Sequence, residues 1–164
     1  MQHKILSALA AVALLGACSS DPDAAGAATG AGASGGLSGG GAGNVRPGSQ
    51  EDLVANVGDR VFFDTDQSSV RGDQREILGR QAGWLARYPQ VAVTLEGHAD
   101  ERGTREYNLA LGQRRANSAR DVLVASGVAG ARIQTISYGK DRPAALGSDD
   151  AAWAQNRRAV TTVR

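Results

Sequence analysis

The chain is poor in the residues on which catalytic and metal chemistry most often depends. Its 164 residues include one cysteine, Cys18, so an internal disulfide is impossible and a cysteine-based metal cluster is excluded. It has two histidines, and only His98 lies beyond the first 17 residues. A catalytic zinc ion normally has three protein ligands. We therefore predict a protein that is not an enzyme and that needs no metal or cofactor.

The sequence also lacks an excess of charge of either sign and a long apolar run. It carries 18 basic and 17 acidic residues, with a formal net charge of +1. This balance does not favour binding to nucleic acid, which depends on clustered positive charge. The apolar run at residues 5–15 is shorter than the roughly 20 residues that a membrane-spanning helix needs.

That short apolar run is typical of a secretory signal. Lys4 precedes it, and it ends in the sequence Leu15-Gly16-Ala17-Cys18, which resembles the lipobox of bacterial lipoproteins. We predict a signal peptide at residues 1–17 and lipidation of Cys18. The alternative is an ordinary signal peptide followed by an incidental cysteine. In the lipoprotein pattern, Ser19 after the cysteine favours the outer membrane, with the folded domain facing the periplasm.

Residues 18–49 are predicted to be a flexible tether. Gly, Ala and Ser dominate this segment, whose only large apolar residues are Leu37 and Val45. Such a composition buries too little apolar surface to offset the entropy lost on ordering, so we expect disorder. About 30 residues of this kind have an r.m.s. reach of about 30 Å.

Residues 50–164 are long enough for one domain with one core. Alternating and helical apolar periodicities predict the order β-α-β-α-β-β. The strands are expected at residues 60–63, 91–95, 133–138 and 159–163, and the helices at 73–88, where Asp73 would cap the first turn, and 104–126. A long polar loop is expected at residues 139–155. We predict an α/β sandwich with a small mixed sheet, parallel pairing among the early strands, and helices on one or both faces.

One arginine of the second helix stands out. On a wheel of about 100° per residue with Asn108 at zero, Arg115 lies within about 60° of Asn108, as do the apolar positions Leu111, Ala119 and Leu123. A cation in an apolar stripe needs a partner or a ligand. The segment that contains it, EGHADERGTREYNLALGQRRA, begins just before His98 and Asp100, at the end of an apolar strand.

This segment, together with FFDTD, SYGKDRPAALG and NRRAV in the same order, resembles the peptidoglycan-associated lipoprotein (Pal) family of the Tol–Pal system, whose domain is OmpA-like. The resemblance covers nearly the whole domain. It implies an outer-membrane lipoprotein that binds peptidoglycan non-covalently and maintains the envelope during cell division. It also implies two further partners, the propeller protein TolB and the Tol inner-membrane complex.

The resemblance further implies a site for the meso-diaminopimelate of peptidoglycan stem peptides. Asp100 would accept from the ligand ammonium, Arg115 would bind its carboxylate, and Asn108 and Leu111 would line or order the pocket. Asp66 in FFDTD also matches a ligand-contacting aspartate. From spacing alone, Asp100 could instead cap the turn and Arg115 could pair with it to close the fold. His98 is expected to be a packed or hydrogen-bonded residue, and Tyr107 is expected in the core.

Two other classes of protein could carry parts of this sequence. A wall hydrolase could use His98 with Asp100, or Glu96 and Asp100 as a carboxylate pair, but nothing places a second carboxylate across a sugar cleft. A flagellar stator or an outer-membrane barrel could carry the same domain. The first needs a spanning helix and the second needs many alternating strands, so the lipobox favours the lipoprotein.

Overall fold

The computed structural model describes residues 45–164. The predicted signal peptide, the lipidation of Cys18 and most of the predicted tether lie outside these residues. Within them the chain forms four α-helices and four strands: α1 Gln50–Asn56, β1 Arg60–Phe62, α2 Gly72–Arg87, β2 Val93–His98, α3 Arg105–Ala125, β3 Ile133–Gly139, α4 Asp150–Asn156 and β4 Arg158–Val163. In this described part of the chain, no helix combines the length and apolar character needed to cross a membrane.

The mixed α/β fold predicted from the sequence is confirmed, but two short helices were missed. The predicted polar loop at residues 139–155 is wrong in its last third, because α4 begins at Asp150. The side chain of Asp149 caps this helix by accepting from the Ala152 amide at 2.8 Å. Both α1 and α4 have only seven residues. Helices this short are too brief to show a helical apolar period.

The sheet has the strand order β1-β4-β2-β3. Strands β2 and β3 pair in parallel, as predicted, while β4 is antiparallel to both β1 and β2. The expected parallel pairing does not extend to β1 and β2, because the last strand lies between them. Local periodicity carries no information on which strands become neighbours, so the order is set by tertiary packing.

Among the ends of the two long helices, the predicted bounds of α3 are correct and the predicted cap of α2 is wrong. Helix α3 begins after Thr104, whose hydroxyl accepts from the Tyr107 amide at 3.2 Å, and it is followed by Gly127 at a φ of 96°. Asp73 is not the cap of α2. The cap position belongs to Arg71, whose guanidinium donates to the Asp73 carboxylate at 2.7 Å within the first turn.

The core lies between the sheet and the helices α2 and α3. Helix α3 packs on β2, β3 and β4, and α2 packs on β1 and α3. Along β2, the buried Val93 and Leu95 face this core, whereas Thr94 and Glu96 are half-buried on the opposite face. Other core side chains include Leu53, Val61, Phe63, Leu78, Trp84, Leu85, Leu123 and Ile133.

Candidate functional site

Arg115 is completely buried, and the main chain supplies its partners. Its relative exposure is 0%. Its Nε donates to the Gln67 carbonyl at 2.8 Å, Nη1 to the His98 carbonyl at 2.9 Å, and Nη2 to the Asp64 carbonyl at 3.0 Å. The arginine in the apolar stripe of α3 therefore ties the loop after β1 to the end of β2.

The charge of Arg115 persists despite its burial. Burial lowers the pKa of its guanidinium to about 10, while the negative charge of Asp100 acts in the opposite direction. The group is therefore protonated at neutral pH. Its guanidinium carbon also lies 5.3 Å from the centre of the Phe63 ring. Because a guanidinium has five N–H groups and three of them donate to carbonyls, two remain for other acceptors.

Asp100 lies two residues beyond the end of β2 and is only 7% exposed. Its Oδ1 accepts from the Arg102 amide at 3.1 Å and from Arg102 Nε at 3.3 Å. Its Oδ2 accepts from Arg102 Nη2 at 2.7 Å and from Arg157 Nη1 at 3.5 Å. Burial raises the pKa of this carboxyl, but the hydrogen bonds from Arg102 outweigh burial, and the pKa falls below its ordinary value. Asp100 is thus ionised and caps the turn that follows β2.

The alternative in which Arg115 pairs directly with Asp100 is wrong, because each has other partners. Asp100 pairs with Arg102 and Arg157, and Arg115 bonds carbonyl groups. The two side chains are nevertheless neighbours, since Arg115 holds the carbonyl of His98, two residues before Asp100.

Asp66 lies on the exposed loop that Arg115 holds at Asp64 and Gln67. Its φ is 55°, a left-handed conformation that aspartate tolerates better than most residues. Its carboxylate accepts from the Tyr107 hydroxyl at 3.4 Å. The expectation that Tyr107 belongs to the core is wrong, because this side chain is 43% exposed and faces Asp66.

The two remaining predicted site residues are buried on α3. Asn108, 2% exposed, donates through Nδ2 to the Arg102 carbonyl at 2.8 Å and so orders the loop that follows Asp100. Leu111 is 3% exposed. The structure therefore gathers Asp66, Asp100, Asn108 and Arg115 around two adjoining loops, residues 64–67 and 98–104. The binding roles of these residues stay predictions.

Comparison with known proteins identifies the family. Residues 62–157 match the OmpA family. The peptidoglycan-associated lipoprotein of Agrobacterium fabrum is 61% identical over 123 residues, which cover 75% of this chain and 70% of that protein. The one from Haemophilus influenzae is 41% identical over 159 residues, covering 96% and 95%. The chain belongs to the peptidoglycan-associated lipoproteins of the OmpA family.

Solved structures agree with this placement. The crystal structure of the peptidoglycan-associated lipoprotein from Burkholderia pseudomallei is 45% identical, with a TM-score of 0.63 over 65% of this chain and 90% of that one. The C-terminal domain of Helicobacter pylori MotB, 21% identical at a TM-score of 0.61 over 65% of this chain and 85% of that one, shows the shared OmpA-like fold alone. The family resemblance and the non-enzymatic class predicted from the sequence are both confirmed by this membership.

Two residues of this OmpA-family site were not predicted from the sequence, Arg102 and Trp153, and the sequence does not decide the role of a third, Arg157. Arg102 donates to Asp100, and its guanidinium stacks 4.2 Å from the centre of the Trp153 ring. Arg157 Nε donates to the Phe63 carbonyl at 3.1 Å, and its Nη1 reaches Asp100. The position of Arg102 two residues after Asp100 is the one local signal that could have found it. Trp153 and Arg157 reach the site only through the fold.

His98 in this OmpA-like domain is packed but not hydrogen-bonded. It is 2% exposed, and neither ring nitrogen has a hydrogen-bond partner. Burial, and then the positive charge of Arg158, lower its pKa to about 4, so the ring is neutral at neutral pH. Glu96 Oε2 lies 3.8 Å from its Nε2. Arg158 is itself only 7% exposed and donates to the Arg142 carbonyl at 3.2 Å.

Proposed function

We propose that this chain is an outer-membrane lipoprotein that binds peptidoglycan through the meso-diaminopimelate of its stem peptides. The observation that carries the proposal is the placement of an ionised carboxylate, Asp100, beside a protonated guanidinium, Arg115. Both are held by the backbone at the end of β2. Membership of the peptidoglycan-associated lipoproteins supports the same ligand class.

The chemistry of the ligand matches this pair of charges. The side-chain end of meso-diaminopimelate carries an ammonium and a carboxylate on one carbon, so a receptor needs an anion and a cation a few ångströms apart. Asp100 supplies the anion, and the buried, protonated guanidinium of Arg115 supplies the cation. Hydrogen bonds between ionised partners are roughly twice as strong as neutral ones. Asp66 offers a second carboxylate on the exposed loop beside Tyr107.

Lipid on Cys18 anchors the protein in the outer membrane, and the Gly-, Ala- and Ser-rich tether at residues 18–49 lets the domain reach the wall. Residues 50–164 form the wall-binding domain, which faces the periplasm. This arrangement links the outer membrane to peptidoglycan without a covalent bond. Its support is the lipobox at Leu15-Gly16-Ala17-Cys18 and the family of the chain.

The finer cellular role follows from the same family. The domain interacts with TolB and with the Tol inner-membrane complex, and it contributes to envelope integrity and to outer-membrane constriction during cell division. The support for these partners is the resemblance carried by FFDTD, the GHADERG segment and NRRAV.

The test is co-sedimentation of the full chain in detergent with purified peptidoglycan of two types. Polymer with diaminopimelate stems should bind, whereas polymer with lysine stems lacks the second carboxylate and leaves Arg115 uncompensated. The expected penalty for lysine stems is about 2–5 kcal/mol. Equal binding of both polymers would contradict the proposed ligand.

Asp100→Asn is the site variant for this experiment, because it removes the charge and keeps the shape. It should weaken binding to the diaminopimelate polymer by several kcal/mol, on the order of 2–5, while the thermal unfolding transition remains. Asp121→Asn is the matched control, since Asp121 is exposed on α3 away from the site. If both variants bind like the wild type, the site lies elsewhere.

A further inference from the structure

The carboxylate proposed to receive the ligand ammonium is already occupied by a cation of the chain. Arg102 places Nε 3.3 Å from Asp100 Oδ1 and Nη2 2.7 Å from Asp100 Oδ2. This is a two-point arrangement of a guanidinium on a carboxylate. The Arg102 side chain is 41% exposed, whereas that of Asp100 is 9% exposed. Arg102 therefore covers Asp100 from the solvent side.

The acceptor sites of the Asp100 carboxylate are all occupied. A carboxylate offers about four lone-pair sites on its two oxygens. The Arg102 amide, Arg102 Nε, Arg102 Nη2 and Arg157 Nη1 supply four donors. An incoming ammonium must therefore displace at least one of them. The Arg102 side chain is the exposed one, while Arg157 is also held by the Phe63 carbonyl.

We propose that Arg102 is an internal cation that occupies the ammonium position of the site, and that ligand binding requires its side chain to leave Asp100. This inference rests on the proposed function, since it names the ligand group with which Arg102 competes. The Arg102 amide keeps its bond to Asp100 Oδ1 when the side chain leaves, so the carboxylate stays oriented for the ligand.

Helix α4 supplies the surface along which Arg102 moves. The guanidinium lies over the Trp153 ring, 4.2 Å from its centre, and Nη2 lies 3.4 Å from Thr65 Oγ1. Trp153 is itself held by a hydrogen bond from its Nε1 to Glu101 Oε1 at 3.1 Å. A guanidinium can slide over an aromatic face without losing its contact with that face. The negative charges of Asp66 and Asp150 also act on Arg102 and raise its pKa, after the larger contribution of Asp100.

This competition makes the site selective for ligands that bring their own cation. A ligand with a carboxylate but no ammonium cannot replace Arg102 on Asp100, so a simple dicarboxylate such as pimelate should not open the site. A ligand with an ammonium restores the charge balance of Asp100 when Arg102 leaves.

The experiment is isothermal titration of the full chain in detergent with free meso-diaminopimelate. We compare the wild type with Arg102→Ala, which removes the competing side chain and keeps the amide. The variant should bind on the order of two- to fivefold more tightly, as expected for the loss of a partly exposed ion pair. Arg102→Lys, which keeps a competing cation, should bind within about twofold of the wild type.

Arg105→Ala is the matched control for the loss of one positive charge near the site. Arg105 pairs with Asp141 at 2.7 Å and does not contact Asp100, so its removal should not tighten binding. Equal tightening by Arg105→Ala and Arg102→Ala would overturn the proposal, because a general field effect would then explain both.

The remaining outcomes separate this inference from the proposed function. If Arg102→Ala binds as the wild type does or more weakly, and Asp100→Asn abolishes binding, the site is correct and the competition is wrong. If neither the wild type nor Arg102→Ala binds diaminopimelate, the proposed function fails and this inference fails with it. Binding by Arg102→Ala where the wild type shows none would support the competition most strongly.

Discussion

Gly97 of β2 and Gly112 of α3 are in direct backbone contact. A methyl group on Gly97 would overlap the carbonyl oxygen of Gly112, and one on Gly112 would lie 2.8 Å from the carbonyl oxygen of Gly97. This contact brings α3 close to the end of the sheet. Arg115, one helical turn beyond Gly112, can then reach the carbonyl of His98, the residue after Gly97. The position of the buried guanidinium therefore depends on the absence of a side chain at both Gly97 and Gly112.

Gly97→Ala should destabilise the domain. The added methyl group would force α3 away from β2, and overpacking of this kind costs about 1–3 kcal/mol. The free energy of unfolding in urea measures the effect. Gly79→Ala is the matched control, because nothing lies within 4 Å of the position that its methyl group would take. That change should stabilise α2 by about 0.5–1 kcal/mol. A Gly97→Ala protein as stable as the wild type would show that the helix can shift without cost.

Arg115→Ala should reduce stability as well as ligand binding. Three carbonyl groups, those of Asp64, Gln67 and His98, would lose their donor in a buried place. We expect a loss of about 3 kcal/mol or more in the free energy of unfolding. Arg114→Ala, an exposed change on the same helix, should alter stability by no more than about 0.5 kcal/mol.

This double role affects how binding data on Arg115 are interpreted. Loss of binding in Arg115→Ala has meaning only if the thermal transition is also measured. An Arg115→Ala protein with an unchanged transition would contradict the three-carbonyl role.

His98 should make the domain less stable in mild acid. Its folded pKa is about 4, against an ordinary value of 6.5, because burial and the charges of Arg158 and Arg142 disfavour the imidazolium. Below pH 6.5 the imidazole of His98 binds a proton in the unfolded chain but stays neutral in the folded chain until the pH approaches 4. Stability is therefore complete above pH 6.5 and declines as the pH falls towards 4.

The expected loss from this residue between pH 7 and pH 5 is about 2 kcal/mol. Urea denaturation of the wild type and of His98→Leu at the two pH values measures it, and the variant should lose less. If Glu96, 3.8 Å away, instead stabilises the imidazolium, the wild type will lose no more stability than the variant as the pH falls.

Asn156 should hold the conformation of the loop before α4. Its Oδ1 accepts from the amides of Ala144 and Ala145 at 2.7 and 3.1 Å, and its Nδ2 donates to the Ala145 carbonyl at 2.8 Å. Asn156→Ala should speed amide hydrogen exchange at both alanines. The exposed neighbour Gln155→Ala should leave those amides unchanged. Unchanged protection in Asn156→Ala would mean that other contacts hold the loop.

Several features of the fold could be predicted from residues near one another in the sequence. The ends of α3 follow from Thr104 and Gly127, because a hydroxyl cap and a left-handed glycine act within one turn of the chain. The alternation along β2 separated Val93 and Leu95 from their outward neighbours. The position of Arg115 on the apolar stripe also indicated that it needs a partner or a ligand.

The sequence by itself therefore determined the fold class, the ends of α3, the family motifs and the need of Arg115 for partners, because these depend on periodicity and on contacts between near neighbours. Only the tertiary structure decided that β4 separates β1 from β2, that the partners of Arg115 are carbonyl groups, and that Arg102 covers Asp100 beneath Trp153. Among these contacts, Arg115 and Asp64 are 51 positions apart, and Trp153 and Glu101 are 52 positions apart. Their geometry is set by the packing of α3 and α4 against the rest of the domain, which no local pattern records.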